Sequence, residues 1–245
     1  MPSLNLAYSR PVAGCEADAV CGDCQVRDIS VCQPLTPDEL QRLRAMISTV
    51  HVETGRPILR EGEPAEVLYN VVAGALKLYK LLPDGRRQIT GFLFPGDFLG
   101  IALNDIYVYT AEALTPLRLC RFPRRRLEAL LLELPALEHR LLGEVASELV
   151  AAQEQMLLLG RKTARERTAS FLLMLARRAE RRGQPGSRLS LPMSRVDIAD
   201  YLGLTTETVS RTITQLRRMG VIGAPGRDDI EILDRTALER ASEGS

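Results

Sequence analysis

Leu202-Gly203-Leu204-Thr205-Thr206-Glu207-Thr208-Val209-Ser210-Arg211 is the stretch on which the fold turns. Gly203 offers the positive φ that a tight turn between helices requires. Thr205 carries the hydroxyl of a helix N-cap. Val209, Ile213 and Leu216 then step by four and three, the buried face of a helix expected from Thr205 to Met219. Upstream, Ser194 to Leu202 has the apolar spacing of a shorter helix. Helix, glycine turn and helix make a helix-turn-helix. Short strands expected at Arg188 to Leu191, near Val221-Ile222 and from Ile230 to Leu233 add a wing.

Glu207, Ser210 and Arg211 share the opposite face of the second helix, at spacings of three and four. Arginine can grip guanine O6 and N7 with two hydrogen bonds, a carboxylate accepts from cytosine N4, and a serine hydroxyl adapts to either. With Thr205 and Thr206 at the helix start, these are the candidate DNA-binding residues. A blander account has Glu207 favouring the helix dipole and pairing with Arg211. The surrounding helix-turn-helix favours base reading, because phosphate repels an acid that has no base to meet.

Outward from this stretch, 245 residues allow one large domain or two ordinary ones. No run approaches the roughly 18 apolar residues of a membrane span. Met1 to Arg10 lacks the basic start and apolar stretch of a secretory signal, so a cytoplasmic location and no membrane partner are expected. A net charge of +1 does not announce nucleic acid, but its distribution does. Arg and Lys concentrate between Arg161 and Arg188, with Arg211, Arg217 and Arg218 following, which suits DNA docking. Arg177, Arg178, Arg181 and Arg182 alone fit a solvated helix face equally well. No nucleophile–base constellation or phosphate cradle marks an enzyme.

The chain divides into a cysteine-rich segment (1–34), a β-rich domain (35–134), a long helix (135–160) and the winged helix-turn-helix (161–245). A helix should start after Thr36, with Pro37 at its first position and two acids in its first turn. From about Thr49 to Phe122, runs such as Val67 to Val72, Leu76 to Leu81 and Ile89 to Phe94 alternate with Gly- and Pro-bearing turns. Many short strands at this spacing predict an antiparallel barrel or roll. A helix of about ten residues should follow from Arg124. Pro135 opens the long helix, in which Leu142, Val145, Leu149, Ala152, Met156 and Leu159 step by three and four as a heptad seam. That seam predicts a homodimer; packing on the helix's own domain is the alternative. A further helix is expected from about Thr163 to Arg182.

The order of roll, long helix and winged helix-turn-helix with Glu-Thr-Val-Ser-Arg resembles the CRP/FNR family of bacterial regulators. Gly74-Ala75-Leu76-Lys77-Leu78-Tyr79 and Pro95-Gly96-Asp97-Phe98-Leu99-Gly100 also match the family pattern, and the resemblance runs from about Leu35 to Leu238. It implies an α+β fold: an N-terminal antiparallel β-roll of cyclic-nucleotide-binding type, a dimerisation helix and a C-terminal winged helix-turn-helix. It implies double-stranded DNA as partner, with the second helix in the major groove of a two-fold symmetric operator. Thr206 stands where the cyclic-nucleotide branch has arginine, which favours TTGAT-like half-sites over TGTGA. RNA polymerase is an expected partner, and the turn Pro83-Asp84-Gly85-Arg86-Arg87 a surface that could touch it.

The family varies in what its roll detects. A cyclic nucleotide needs an arginine for its phosphate and a glutamate for its ribose. Ile101 to Ala111 lacks that glutamate, and no arginine lies between Arg87 and Arg118. A buried phosphate would be uncompensated, so no cyclic nucleotide is expected. Haem finds only His51 and His139, which read as a strand end and a helix surface. Four of five cysteines fall within the first 32 residues, which in a reducing compartment points to metal or redox chemistry. Four thiolates can hold a 4Fe–4S cluster or a zinc ion, and a thiol redox switch is a third option. The arrangement resembles the oxygen-sensing FNR branch, which implies Cys21, Cys24, Cys32 and Cys120 as ligands of a 4Fe–4S cluster and leaves Cys15 over. The Cys24–Cys32 gap has seven residues, as in a proteobacterial variant of that pattern.

Overall fold

The structure, a computed structural model, describes residues 21, 24–101, 105–226 and 228–244, so Cys15 lies outside the described residues. A 3-10 turn at Arg27–Ile29 leads to helix α1 (Pro37–Arg44). Thr36 and Glu39 close a capping box on α1, which fixes where the helix begins. Eight strands follow: β1 (Ser48–Val52), β2 (Pro57–Leu59), β3 (Val67–Ala73), β4 (Leu76–Leu81), β5 (Arg87–Leu93), β6 (Phe98–Leu99), β7 (Thr110–Ala113) and β8 (Leu117–Pro123). They build two four-stranded antiparallel sheets in the orders β1-β8-β3-β6 and β2-β7-β4-β5. This is the expected roll. Gly74 turns β3 into β4 at φ +88°, and a Cβ there would lie 2.3 Å from the Pro116 carbonyl oxygen.

Helices α2 (Arg124–Leu131) and α3 (Pro135–Arg161) leave the roll. Then come α4 (Ala164–Arg181), β9 (Arg188–Ser190), α5 (Arg195–Leu202), α6 (Thr206–Arg218), β10 (Ile222–Gly223), β11 (Asp229–Ile232) and α7 (Arg235–Glu243). The small sheet runs β10-β11-β9. Helix α7 was not expected. Asp234 caps it, and Leu238 and Ala241 bury one side against the winged domain.

Strand alternation assigns each apolar side chain to a layer. Val71, Leu76, Leu99 and Leu119 point between the sheets and fill the roll. Leu68, Val72, Phe98, Cys120 and Phe122 point outward from the first sheet. That outer face is covered by Val26, Val31 and Leu35 of the cysteine segment, by Leu43 of α1, and by Leu127, Leu130, Leu134 and Leu137 around α2 and the start of α3. Asn70 belongs to the same strand face, paired in register with Cys120 and Phe98. Its Oδ1 is buried with no hydrogen-bond partner among the described residues. Such an orphan costs about 1–3 kcal/mol.

The outer face of the second sheet meets the winged domain. Ala75, Ile89, Phe92 and Phe94 join an apolar core with Phe171, Leu175 and Ile198. The rings of Phe92, Phe171 and Tyr201 lie 5.2 to 6.0 Å apart, centroid to centroid. Charges close the contact. Buried Lys77 of β4 reaches buried Asp197 of α5 at 2.9 Å and Glu112 of β7 at 3.1 Å. Arg87 reaches Asp197 at 2.8 Å and Asp200 at 2.7 Å. The turn expected to face polymerase is therefore divided. Arg87 is drawn inward onto α5, while Asp84 and Arg86 pair with each other at the exposed tip.

Burial alone would raise the Asp197 carboxyl, but hydrogen bonds from Ser194 and Lys77 hold it below the usual carboxylate value. A depressed carboxyl contributes stability that is complete above its unfolded pKa, about 3.9, and is lost as pH falls through the folded value. We expect Asp197→Asn to cost about 3 kcal/mol at neutral pH, since Lys77 loses its charged partner on α5. Denaturant melts at neutral pH and at successively lower pH below about 4 should show that cost shrinking as the wild-type carboxyl protonates. An equal midpoint for both proteins at neutral pH would show that this contact adds nothing.

Candidate nucleic-acid interface and thiol site

The turn before α6 forms as its sequence requires. Gly203 adopts φ 61°, ψ 41° and ends α5. Thr205 accepts from the Thr208 backbone N–H at 3.1 Å, capping α6. Val209, Thr212, Ile213 and Leu216 are buried, so α6 has one face committed to its own domain. The other face is open. Glu207, Ser210, Arg211, Thr214, Gln215 and Arg218 line one shallow concavity along it. Thr205 and Thr206 stand exposed at its N-terminal end. Among the described residues, no ion pair joins Glu207 to Arg211, and neither charge is hydrogen-bonded elsewhere. The internal Glu–Arg pairing considered from sequence is not made, and both charges remain available to a ligand. Ser210 donates to the Thr206 carbonyl at 2.9 Å and keeps its acceptor lone pairs outward. Thr214, Gln215 and Arg218 continue the three-and-four spacing of Glu207 and Arg211, and that spacing alone could have identified them.

The four cysteines come together from two distant parts of the chain. Cys120 faces outward from β8 and is buried; Cys21 is buried, and Cys24 and Cys32 are partly buried beside the same apolar layer. Burial pushes the Cys120 thiol up to about 12, with Cys21, Cys24 and Cys32 each adding in the same direction. Burial likewise pushes Cys32 up to about 11, against a hydrogen bond from Ser30. Cys21 is raised by burial and by Cys24, against Arg44 and Arg27. The thiols thus share one electrostatic neighbourhood that keeps those three protonated. Among the described residues, no three His, Cys, Asp or Glu side chains converge closely enough to cage a metal ion. The donor set nevertheless fits one. Burial, with the neighbouring sulfurs adding to it, opposes ionisation of Cys21, Cys32 and Cys120, and a cationic centre would offset that opposition.

Residues 166–241 match the Crp-like helix-turn-helix domain and residues 49–133 the cyclic nucleotide-binding domain. The chain is similar to the nitrogen fixation regulation protein FixK of Bradyrhizobium diazoefficiens, at 42% identity over 219 residues covering 89% of this chain and 92% of that protein. It is similar to the transcriptional activator protein FnrL of Cereibacter sphaeroides, at 38% identity over 230 residues covering 92% and 93%. The solved structure of FixK2 from Bradyrhizobium japonicum shares 41% identity and a TM-score of 0.76, covering 80% of this chain and 97% of that one. This chain belongs to the CRP/FNR family. It is a DNA-binding transcription regulator and not an enzyme, and no described helix is long and apolar enough to cross a membrane.

In this CRP/FNR regulator the basic stretch is used differently from the sequence expectation. Arg178 donates to the Phe92 carbonyl at 2.6 Å and to Asp97 at 3.1 Å. Arg182 lies 4.7 Å from the centroid of the Phe94 ring. Both hold α4 against the roll, so neither belongs to a solvated face or a DNA surface. Arg177 and Arg181 are exposed. Arg167 donates to the carbonyls of Leu159, Lys162 and Leu202, tying the end of α3 to the end of α5.

The seam on α3 is mostly open. Leu142, Leu149 and Met156 are 64%, 60% and 65% exposed, and Val145 and Ala152 are exposed with them. Leu159 departs from that face. It is partly buried on the winged-domain core, 3.2 Å from where a Cβ on Gly203 would stand. The physical reason is position: at the C-terminal turn of α3 the chain reverses into α4, and the winged domain covers that side.

Proposed function

We propose that this regulator is an oxygen-responsive transcription activator. It holds a 4Fe–4S cluster on Cys21, Cys24, Cys32 and Cys120, dimerises along α3 and reads a TTGAT-like inverted repeat through α6. The observation that carries this reading is that Cys24 and Cys32 pack against the apolar layer that holds Cys120, with Cys21 an electrostatic neighbour of all three. When bound, the cluster supplies an oxygen-labile cross-link between the N-terminal segment and β8. The rest is done by side chains of the chain itself. Leu134 and Leu137 pack in the same apolar layer as Cys120. Arg140 of α3 donates to the carbonyls of Ile29 and Ser30 at 3.4 Å each. The cysteine segment and the first turns of α3 are therefore joined by apolar packing and by these hydrogen bonds. A change in the pocket biases how α3 meets its partner, which is a population shift and needs no new contact to DNA.

An open apolar face on a long helix supports the homodimer, since a lone monomer would leave it in water. Two recognition helices must sit one DNA turn apart, about 34 Å. The lack of an arginine between Arg87 and Arg118 and of a ribose glutamate supports a roll that takes no cyclic nucleotide.

Three measurements test this. Serine is a poor iron ligand at neutral pH. Each single Cys→Ser change at Cys21, Cys24, Cys32 or Cys120 should abolish or destabilise the cluster, and anaerobic dimerisation and operator binding with it. Cys15→Ser should keep all three. Air should remove visible absorbance and operator affinity from the wild type together. Zinc in anaerobically purified protein would favour a structural site, and binding indifferent to air would remove oxygen sensing. Met156→Glu should weaken the dimer in sedimentation and lower DNA affinity, because a buried unpaired charge is costly; an unchanged dimer would refute the seam. Arg211→Ala should cost roughly 1–3 kcal/mol of specific binding and relax discrimination at one G·C pair. An unbiased binding selection that returned no two-fold symmetric site would defeat the operator assignment.

A further inference from the structure

Asn70 is a polar side chain set into the apolar layer that also contains Cys120. It is only 2% exposed, and its Oδ1 has no hydrogen-bond partner among the described residues. It pairs in register with Cys120 on one side and Phe98 on the other. Directly opposed residues project to one sheet face with Cβ atoms about 4.5–5.5 Å apart. On that face its neighbours in the layer are Leu68, Val72, Phe98 and Phe122, which offer no hydrogen bond. Cys120, Cys24 and Cys32 bring sulfur atoms to this layer. A hydrophobic residue would fill the position without an orphaned group, so the carboxamide needs a reason to be there.

We propose that Asn70 serves the four-thiol site as a hydrogen-bond donor: its carboxamide N–H groups turn toward the Cys120 sulfur when that sulfur is a metal-bound thiolate. The inference rests on the reading of these cysteines as metal ligands. A carboxamide suits the task on three counts. Its terminal torsion is broad and roughly two-fold, so its N–H face can be turned to a new acceptor without moving the backbone. It adds polarity without a net charge, which this apolar layer would not tolerate unpaired. It gives the thiolate a donor where the neighbouring side chains are hydrocarbon, and donors of this kind orient a metal ligand. Asn70 acts through Cys120 and is a positioning residue, not a ligand.

The test uses full-length protein reconstituted anaerobically with iron and sulfide and challenged with a ferrous chelator. Asn70→Leu should load, then lose iron roughly ten-fold faster than wild type. Asn70→Asp, which keeps the shape and removes the donor, should lose it at least as fast. Metal-free Asn70→Leu should melt at or above the wild-type temperature, because the orphaned group has gone. A purely structural asparagine would behave oppositely, lowering the metal-free melting temperature and leaving the stripping rate unchanged; that result overturns the proposal. If wild-type protein takes up neither iron nor zinc, the metal reading itself fails and the role of Asn70 falls with it. If wild type loads and both variants are stripped at its rate, only the role of Asn70 fails.

Discussion

Both four-stranded sheets of the roll carry apolar side chains on both faces, and the cover those faces need places the cysteine segment, the long helix and the winged domain. The inner faces bury each other. The outer face of the first sheet is covered by the cysteine segment, α1, α2 and the root of α3. The outer face of the second is covered by the winged domain. Along β8, Leu117 and Leu119 point in while Cys120 and Phe122 point out. A one-residue slip would exchange these sets and send Cys120 into the roll. The position of one thiol at the base of the long helix is thus a consequence of strand period.

The second sheet does for the DNA-binding domain what the first does for the thiols. Its apolar contact with α4 and α5 is non-directional and would tolerate sliding. Lys77, Arg87 and Gln88 remove that freedom. They bind Asp197, Asp200 and the Asp200 carbonyl, all on the first helix of the helix-turn-helix. Buried ion pairs add little net stability over apolar substitutes, but they reward one geometry over its neighbours. Here the geometry held is that of α5 against the roll, and α6 follows through Gly203. The open face of α6 is then aimed by contacts that it does not itself make.

Much of this was legible locally. Glycine turns and apolar alternation located β3, β4 and β5, and Thr163, Ser194 and Thr205 marked helix starts that the structure keeps as caps. The open face of α6 followed from three-and-four spacing. What was not legible depends on tertiary partners. Arg177 and Arg178 are adjacent in sequence, yet one is exposed and the other binds the roll, because a helix turns 100° per residue. Leu159 fits the heptad as well as Met156 does, but the reversal into α4 takes it elsewhere. Helix α7 carries few large apolar residues, so its sequence signal is weak, although Asp234 offers a cap. Bringing Cys120 to the N-terminal cysteines needs the whole roll, and in the sequence only the family resemblance pointed to it.

The thiol pocket and the α3 seam sit at opposite ends of one energetic trade. The thiol layer sets Cys120 among hydrocarbon side chains, where burial favours the neutral thiol, and leaves Asn70 Oδ1 unpartnered among the described residues. The seam holds hydrocarbon in water, which favours association and is opposed by the entropy of bringing two chains together. Neither imbalance is large compared with the stability of a domain, typically 5–15 kcal/mol. A coupling of a few kcal/mol between them is therefore enough to move the dimer equilibrium by orders of magnitude. In the proposed switch, Arg140 is the residue placed to transmit such a coupling. Its guanidinium binds Glu144 on its own helix at 2.9 Å and the carbonyls beside Cys32 on the segment. It lies one turn below Glu144 and two residues before Leu142, the first residue of the seam, so the proposed switch has a direct contact between the cysteine segment and α3.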